Sequence, residues 1–421
     1  MTMKFRSRIA LFFAIMGPGI ITAFADNDAG GIATYSAAGA KYGYGLLFTM
    51  FLSTVALAIA QEISARTGAV TGRGLADLIR ELFGVKWTLF AMSVLLVANL
   101  GTTISEFSGI ATSLEIFGIS KYISVPIAAF VVWWLVVKAD YARTEKVFLS
   151  LCILFFSYVI SGIIVNPPWP EVIAASVKPS FSSNAEYLLM AIGVIGTTIT
   201  PWGQFYVQAS VVDKGITAKN YIYTRCDVFL GSFFTGFVAF FIMVATAATL
   251  YANNISIETA KDAAIALEPL AGKYASDLFA FGLFGASMLA AFILPLSTAY
   301  PICEAFGFES GVSKTFKEAP VFFGLYTVII AFSAAMVLWP GLSLYKVMLT
   351  TQVVNGLLLP PILIFMVLIA NNKSIMGEYT NSRLYNIISW LFTIVLIILS
   401  LMLLVSTLMP DLVNNVQELL K

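Results

Sequence analysis

Long apolar runs separated by short polar stretches make up most of this chain. About 20 consecutive apolar residues are enough to cross a bilayer as a helix, and a helix pairs its backbone polar groups within itself. The pattern therefore predicts an all-α membrane protein that crosses the bilayer many times. Eleven spans are predicted, at about residues 9–38, 43–66, 87–114, 122–138, 146–166, 186–212, 227–252, 276–306, 320–339, 343–370 and 385–409.

Two details qualify this pattern. The first run follows three basic residues and passes through Ala23-Phe24-Ala25, so it also resembles a signal peptide with its cleavage site. Because apolar character continues to about Ala38, we assign this run to the helix bundle. The longest loop, about residues 252–276, is predicted to carry a short helix.

Composition supports the membrane assignment and narrows the function. Of the 421 residues, 59% are hydrophobic and 11% are charged, and the mean hydropathy is +0.90. Soluble domains are about a quarter charged. The net charge of +1 gives no reason to expect nucleic acid as a partner, and the three cysteines are too scattered for a zinc motif or a disulfide framework. The chain has no histidine, so it lacks the commonest metal ligand and the commonest general base.

Basic residues predict the orientation of the spans. With a cytoplasmic N-terminus, 17 of the 24 Lys and Arg residues fall in segments on the cytoplasmic side. Cytoplasmic loops of membrane proteins carry an excess of Lys and Arg. We therefore expect a multi-pass protein of the cell membrane with its N-terminus inside and, because eleven is odd, its C-terminus outside.

Two spans contain polar interruptions near their middle. The first carries Ala25-Asp26-Asn27-Asp28-Ala29-Gly30-Gly31, and the sixth carries Gly196-Thr197-Thr198-Ile199-Thr200-Pro201-Trp202-Gly203-Gln204. Non-helical backbone at that depth is tolerated where it lines a cavity or is buried in protein. Interruptions at matching positions predict two inverted repeats, with the binding site between them. Residues 1–421 then form one transport domain, with repeats at about 9–166 and 186–370 and an extra helix at about 385–409.

The acidic residues of the first interruption indicate the ligand class. A carboxylate in mid-membrane costs several kcal/mol unless it is paired, so Asp26 and Asp28 predict a functional site. With free carbonyls of an unwound helix they make an oxygen-rich site suited to a hard cation. We expect Asp28 to face the ion, and Asp26 either to face water or to cap a half-helix. Thr197, Thr200 and Gln204 are candidate oxygen donors from the sixth span.

At these residues the chain resembles the Nramp family of divalent metal transporters, over most of its length. The resemblance implies a leucine-transporter-like fold, with helices 1 and 6 discontinuous, and alternating access. The motifs that carry it are Gly17-Pro18 followed by Asp28-Ala29-Gly30-Gly31, the stretch from Gln61 to Gly72, Glu106-Phe107, Gly196 to Pro201, Gln352-Val353-Val354, and Met376-Gly377-Glu378-Tyr379.

Departures from the family pattern change the expected ion. The Asn and Met ligands of the family fall at Gly31 and Thr200, and its histidines of the sixth helix fall at Trp202 and Gln208. An Asp of the third helix falls at Thr103. The site then has no sulfur ligand, and sulfur is the ligand type that favours transition metals. The smaller side chains also make the site roomier. The pattern resembles the prokaryotic magnesium-transporting branch, so we expect import of a partly hydrated Mg²⁺, with Mn²⁺ tolerated.

The residues expected at the metal fall into two groups. Direct contacts are expected from Asp28, Gly31, Thr197, Thr200 and Gln352. A second group is expected around the ion or along its pathway, at Asp26, Glu106, Gln204 and Trp202. For Glu106, the sequence supports a structural role and a role in the ion pathway equally.

Other functions stay open at this stage. Because the family's histidines are absent and Thr103 stands where the family has an Asp, tight proton coupling is not expected. A proton-coupled Mn²⁺/Fe²⁺ transporter is the main alternative. An amino-acid or organic-cation symporter on the same fold is disfavoured by Asp28. An intramembrane enzyme is disfavoured because no nucleophile–base pair or zinc motif is present. We expect no cofactor, and a monomer in a lipid bilayer with the metal ion as its substrate.

Overall fold

The computed structural model describes residues 18–138, 154, 156–312 and 314–408, and within these ranges the chain is helical, without a β-strand. The helices are α1 Pro18–Asp26, α2 Ala29–Tyr42, α3 Leu47–Thr71, α4 Leu75–Ile116, α5 Lys121–Lys138, α6 Phe156–Ile164, α7 Trp169–Val177, α8 Ala185–Thr198, α9 Pro201–Asp213, α10 Tyr221–Thr249, α11 Ala260–Ala264, α12 Glu268–Ala271, α13 Ala275–Phe306, α14 Pro320–Val337, α15 Leu344–Ala370, α16 Lys373–Met376 and α17 Arg383–Leu408.

Most predicted spans correspond to one of these helices within a few residues. Nine helical stretches in the described part of the chain are long and apolar enough to cross a membrane. The first predicted span appears as α1 and α2, with residues 9–17 outside the described ranges. Of the fifth, only α6 is fully described. The sixth is divided into α8 and α9, so both predicted interruptions are present.

The third predicted span, 87–114, matches the part of α4 that follows a kink at Gly84, whereas the helical part before that kink was not predicted. Helix α4 starts at Leu75, whereas the hydropathy pattern placed the start near residue 87. The part before Gly84 carries three charged residues, so its sequence resembles a loop, but its apolar side chains Leu75, Leu78 and Ile79 are buried. Gly84, at φ 79° and ψ 176°, marks a sharp kink between the two parts. A positive φ is easy for glycine, so this residue lets the chain turn from the surface into the span.

The interrupted helices occupy the centre of the bundle. Every residue from Ala29 to Ala40 of α2 is buried, as is the second half of α8. Long helices surround them: α4 packs along α13 and α15, and α10 packs on α1, α2 and α3. At the periphery, α17 exposes large apolar side chains such as Leu384 and Leu391, as a lipid-facing helix does. The polar interruptions are therefore held inside protein.

The long loop between α10 and α13 contains the short helices α11 and α12, as predicted. Thr259 and Asp262 form a capping box at the start of α11, which satisfies free backbone donors there. The Ser161 hydroxyl of α6 donates to the Ala266 carbonyl oxygen at 2.6 Å and ties this loop to the bundle.

Candidate metal centre

The first break lies at Asn27 and Asp28, between α1 and α2. Asp28 is extended (φ −78°, ψ −177°), and its Oδ1 accepts a hydrogen bond from the Gly31 backbone N–H at 2.6 Å. Aspartate is a favoured residue at this capping position because its side chain satisfies a free N–H of the first turn. The sequence thus ends one helix and starts the next at a carboxylate.

The second break lies at Ile199 and Thr200, between α8 and α9. Pro201 begins α9, a position where its missing N–H costs nothing. The Thr200 side chain does not cap α9. Its hydroxyl instead donates to Asp26 Oδ1 at 3.0 Å, so the second break is hydrogen-bonded to the first.

Oxygen atoms from both breaks surround the backbone of Gly31. A side chain at this position would begin 3.2 Å from each of three oxygens: the Asp26 carbonyl, Asp28 Oδ1 and the Thr197 hydroxyl. We call this group the oxygen cradle. Asp28 Oδ2 and Thr197 Oγ1 are buried and have no hydrogen-bond partner among the described residues. Buried polar atoms are nearly always paired, so these two point to a ligand.

Glu106 of α4 completes the acidic side of the cradle. Its Oε2 accepts from the Ala29 N–H at 3.2 Å, and its carboxyl group interacts with that of Asp28. The other oxygen, Oε1, is buried and lacks a hydrogen-bond partner within the described ranges. Two carboxylates in contact repel each other unless a cation or a proton lies between them.

Asp26 is held in a way that the sequence did not predict. It is 1% exposed, so the expectation that it faces water is wrong, and the helix-capping role belongs to Asp28. Its Oδ1 accepts from Thr200, and its Oδ2 accepts from Gln61 Nε2 of α3 at 3.4 Å. Asp26 thus directs its carbonyl, and not a free carboxylate oxygen, at the cradle.

Three further predicted residues, Gln352, Gln204 and Trp202, lie on α15 and in the first turn of α9. Gln352 of α15 reaches Gly30, where a side chain would begin 1.8 Å from Gln352 Nε2. Gln204 and Trp202 are fully buried in the first turn of α9, and Trp202 packs edge-on against Tyr206, with ring centroids 5.9 Å apart. Trp202 Nε1 and both polar atoms of the Gln204 amide are buried without a hydrogen-bond partner among the described residues. The three oxygens around Gly31 come from α1, from Asp28 at the start of α2 and from α8, and Glu106 of α4 lies beside them.

Two supporting residues were missed by the sequence reasoning. Gln61 was noted only as part of a motif, although it holds Asp26. Asp227, buried in α10, accepts from the Gly19 N–H at 2.7 Å and fixes the start of α1. An acidic residue at the edge of an apolar run is the signal that could have identified Asp227.

The donor set has little charge for a metal site. No group of three or more His, Cys, Asp or Glu side chains suited to a metal occurs in the described part of the chain. The cradle therefore combines two carboxylates, those of Asp28 and Glu106, with a hydroxyl and a carbonyl. Such oxygen ligands suit hard cations, and the small number of charges suits an ion that must leave again.

Comparison with known proteins gives consistent matches over nearly the whole chain. The family model described as natural resistance-associated macrophage protein-like (Nramp) matches residues 19–406. A "Divalent metal cation transporter MntH 1" of Pseudomonas aeruginosa is 29% identical, over 91% of this chain and 88% of the relative. The corresponding MntH of Erwinia tasmaniensis is 27% identical, over 95% and 96%.

Solved structures show a shared fold. The Eremococcus coleocola manganese transporter, in complex with an aromatic bis-isothiourea substituted compound, superposes with a TM-score of 0.77 at 21% identity, over 94% of this chain and 86% of that one. MhsT in complex with L-phenylalanine superposes with a TM-score of 0.59 at 14% identity, over 92% and 98%. The predicted fold class, with its leucine-transporter-like arrangement, is confirmed.

Proposed function

We propose that this chain, which belongs to the Nramp family, imports divalent metal ions by alternating access and carries Mg²⁺ in preference to transition metals. It is a membrane transporter and not an enzyme. The oxygen cradle around Gly31 is the observation that carries the proposal. It joins the two interrupted helices, which is where transporters of this architecture hold their substrates.

Asp28 is proposed as the main ligand. Its Oδ1 is used by the Gly31 N–H, and its buried Oδ2 has no partner among the described residues. Oδ2 is therefore the atom best placed to receive a cation. Thr197 Oγ1 and the Asp26 carbonyl add neutral oxygens, and Glu106, which accepts from the Ala29 N–H beside Asp28, adds the second charge.

The preference for Mg²⁺ is argued from ligand type and space. The cradle contains oxygen atoms only, so it lacks the soft sulfur ligand that favours transition metals. Gly31 contributes no side chain and leaves room among the three oxygens. Mg²⁺ gives up its water reluctantly and usually keeps several waters when bound. We propose that it enters partly hydrated, and that Mn²⁺ is also accepted.

The membrane potential is proposed as the driving force. Moving one charge through 100 mV corresponds to about 2.3 kcal/mol, so a divalent ion gains about 4.6 kcal/mol. That is sufficient for uptake without a proton gradient. The chain has no histidine to relay protons. Thr103 of α4, which stands where the family has an Asp, donates its hydroxyl to the Asn99 carbonyl at 2.7 Å and has no carboxyl group to carry a proton. The alternative is a proton-coupled Mn²⁺/Fe²⁺ transporter, in which Glu106 or Asp28 carries the proton.

The wider organisation completes the proposal. The two repeats are placed at about 9–166 and 186–370, with α17 as the extra helix. The excess of Lys and Arg in one set of loops supports a cytoplasmic N-terminus and an outer C-terminus. Because the cradle is built from one chain, a monomer is sufficient for transport.

Uptake into proteoliposomes tests the proposal. Purified protein is reconstituted with a magnesium-sensitive dye inside, and an inside-negative potential is imposed without a pH gradient. We expect Mg²⁺ uptake by the unmodified protein and its loss in Asp28→Ala. Asp277→Ala serves as the matched control, because Asp277 is an exposed residue in the first turn of α13.

The same vesicles separate the alternatives. Proton influx that tracks metal influx, with transport of Mn²⁺ but not Mg²⁺, would favour the proton-coupled alternative. Strong inhibition by Cd²⁺, a soft ion, would also favour it. Unchanged Mg²⁺ flux in a folded Asp28→Ala protein would rule out the proposed site.

A further inference from the structure

A pair of buried amides lies beside the oxygen cradle. Gln352 and Asn355 are both fully buried on α15, one helical turn apart. Asn355 Nδ2 donates to Gln352 Oε1 at 2.9 Å, so the oxygen of Gln352 is directed at Asn355. The nitrogen end, Nε2, is directed at Gly30 and has no hydrogen-bond partner in the described residues.

Thr102 of α4 fixes which end of Asn355 faces Gln352. The Thr102 hydroxyl donates to the Ala98 carbonyl at 3.0 Å, and its other possible acceptor, Asn355 Oδ1, is farther away at 3.3 Å. Asn355 Nδ2 donates to the same hydroxyl oxygen at 2.9 Å. A hydroxyl has a single proton to give. With that proton on Ala98, the hydroxyl needs a donor, and the N–H₂ end of Asn355 supplies it. The same N–H₂ group also donates to the Gln352 side-chain oxygen.

The orientation of this amide matters for a cation. An amide oxygen is a ligand for a hard cation, whereas an amide N–H₂ group repels one. Gly30 lies two residues after Asp28, so the N–H₂ end is directed at the acidic break, where it is electrostatically favourable without an ion. Gln352 becomes an ion ligand only if its amide turns over, and turning over breaks its hydrogen bond with Asn355.

We propose that Asn355 is a positioning residue that holds the Gln352 oxygen away from the ion and so weakens ion binding. This inference rests on the proposed function, because it assigns a second level of control to the same site. Asn355 does not touch the ion; it sets the cost at which Gln352 joins the ion's ligands. A lower affinity favours release of the ion on the other side of the membrane.

The test is a double-mutant cycle on the KM for Mg²⁺ in proteoliposomes. Asn355→Leu removes the hydrogen bond at similar volume, so the Gln352 oxygen turns to the ion without losing a partner. A hydrogen bond contributes about 1 kcal/mol net, so we expect the KM to fall about fivefold. In the Gln352→Leu background the same change is expected to alter the KM by less than about twofold, because the amide through which it acts is gone.

Each outcome decides the inference. An unchanged or higher KM in Asn355→Leu, with the protein monodisperse and its thermal stability retained, overturns it. An equal fall in KM in both backgrounds also overturns it, because the effect would not pass through Gln352. Failure of the proposed function is recognised separately: the unmodified protein would then take up no Mg²⁺, or Asp28→Ala would leave uptake intact.

Thr102→Val keeps the inference testable if Asn355→Leu does not fold. This variant removes the hydroxyl that fixes Asn355 and leaves both amides in place. Asn355 can then turn its oxygen to Gln352, so we expect a KM about two- to threefold lower, again only when Gln352 is present. A higher KM, or a fall that persists in Gln352→Leu, overturns the inference.

Discussion

The two breaks have the same backbone plan and opposite chemistry. Each interrupts a central helix with two extended or bent residues, and the following helix starts at once. In the first break a carboxylate, Asp28, caps the new helix. In the second, Pro201 starts the new helix and no side chain caps it. The first break therefore contributes a carboxylate to the site, beside that of Glu106 on α4, whereas the second break and the end of α8 contribute neutral hydroxyl groups.

This difference shows how a repeated fold can build an asymmetric site. Equal charges on both breaks would hold a divalent ion tightly and oppose its release. With the second break neutral, Thr200 is free to steady Asp26, and Thr197 is free to complete the cradle. The predictions below alter one side of this comparison at a time.

The largest effect is expected at the charged break. Replacing Asp28 by Asn keeps the shape and a capping oxygen but removes the charge that receives the ion. Leaving a buried ionic site without its partner costs about 3–5 kcal/mol, so we expect Mg²⁺ uptake to fall at least about 100-fold. Initial uptake rates in proteoliposomes measure this, and an uptake within threefold of the unmodified protein would contradict it.

Filling the cradle is expected to have the next largest effect. In Gly31→Ala the new methyl group lies 3.2 Å from each of three oxygens, in the space assigned to the ion. The methyl group takes space that the ion needs, so we expect uptake to fall about thirtyfold, which corresponds to about 2 kcal/mol. Alanine favours a helix more than glycine does, so thermal stability is expected to hold. Gly324→Ala on α14 is the matched control, because nothing lies within 4 Å of its added methyl. Equal uptake in both variants would exclude the cradle as the ion's position.

The neutral break is expected to give a smaller change. Thr200→Val removes the hydroxyl that donates to Asp26 and leaves that oxygen without this partner. A hydrogen bond to a charged group contributes about 1.5–3 kcal/mol, so uptake is expected to fall about tenfold. Thr350→Val is the control, since that exposed hydroxyl donates to the Lys346 carbonyl of its own helix. If Thr200→Val reduced uptake as much as Asp28→Asn, the assignment of charge to the first break would be wrong.

The smallest effect is expected for a carboxylate in water. Glu318, in the loop before α14, accepts from the Thr315 backbone N–H at 2.7 Å and from its hydroxyl at 2.8 Å. These bonds lower the pKa of Glu318. Their contribution to the loop is complete above the ordinary pKa of glutamate and is lost as the pH falls through the lowered value. Glu318→Gln is expected to leave uptake within twofold at pH 7, measured beside Asp28→Asn.

Much of the architecture could be predicted from the sequence. The apolar runs gave the spans, because crossing lipid requires length and hydrophobicity. The interruptions could be recognised because a charged side chain is costly in a lipid-facing helix and glycine and proline weaken one. Asp28, Gly30 and Pro201 are the residues concerned. The predicted membership of the Nramp family is confirmed, as is the choice of a transporter over an enzyme. The preference for Mg²⁺ stays a prediction.

The contacts across the bundle could not be predicted. Thr200 was expected at the metal, but its hydroxyl bonds to Asp26, far away in the sequence. Nothing in a single sequence says which end of Gln352 faces the site, since Asn355 and Thr102 decide it together. The start of α4 was missed because its charged residues lower the hydropathy of the stretch, although its apolar side chains are buried. Tertiary packing decides each of these.

The position of the ion itself tests the account most directly. Crystals soaked in Mn²⁺ allow the metal to be located by its anomalous scattering, with Asp28→Asn crystals as the reference. We expect one peak beside Gly31, in contact with Asp28 Oδ2 and within reach of Thr197 Oγ1, and no such peak in the variant. A peak elsewhere in the bundle, or one that persists in Asp28→Asn, would contradict the assignment of the oxygen cradle as the metal site.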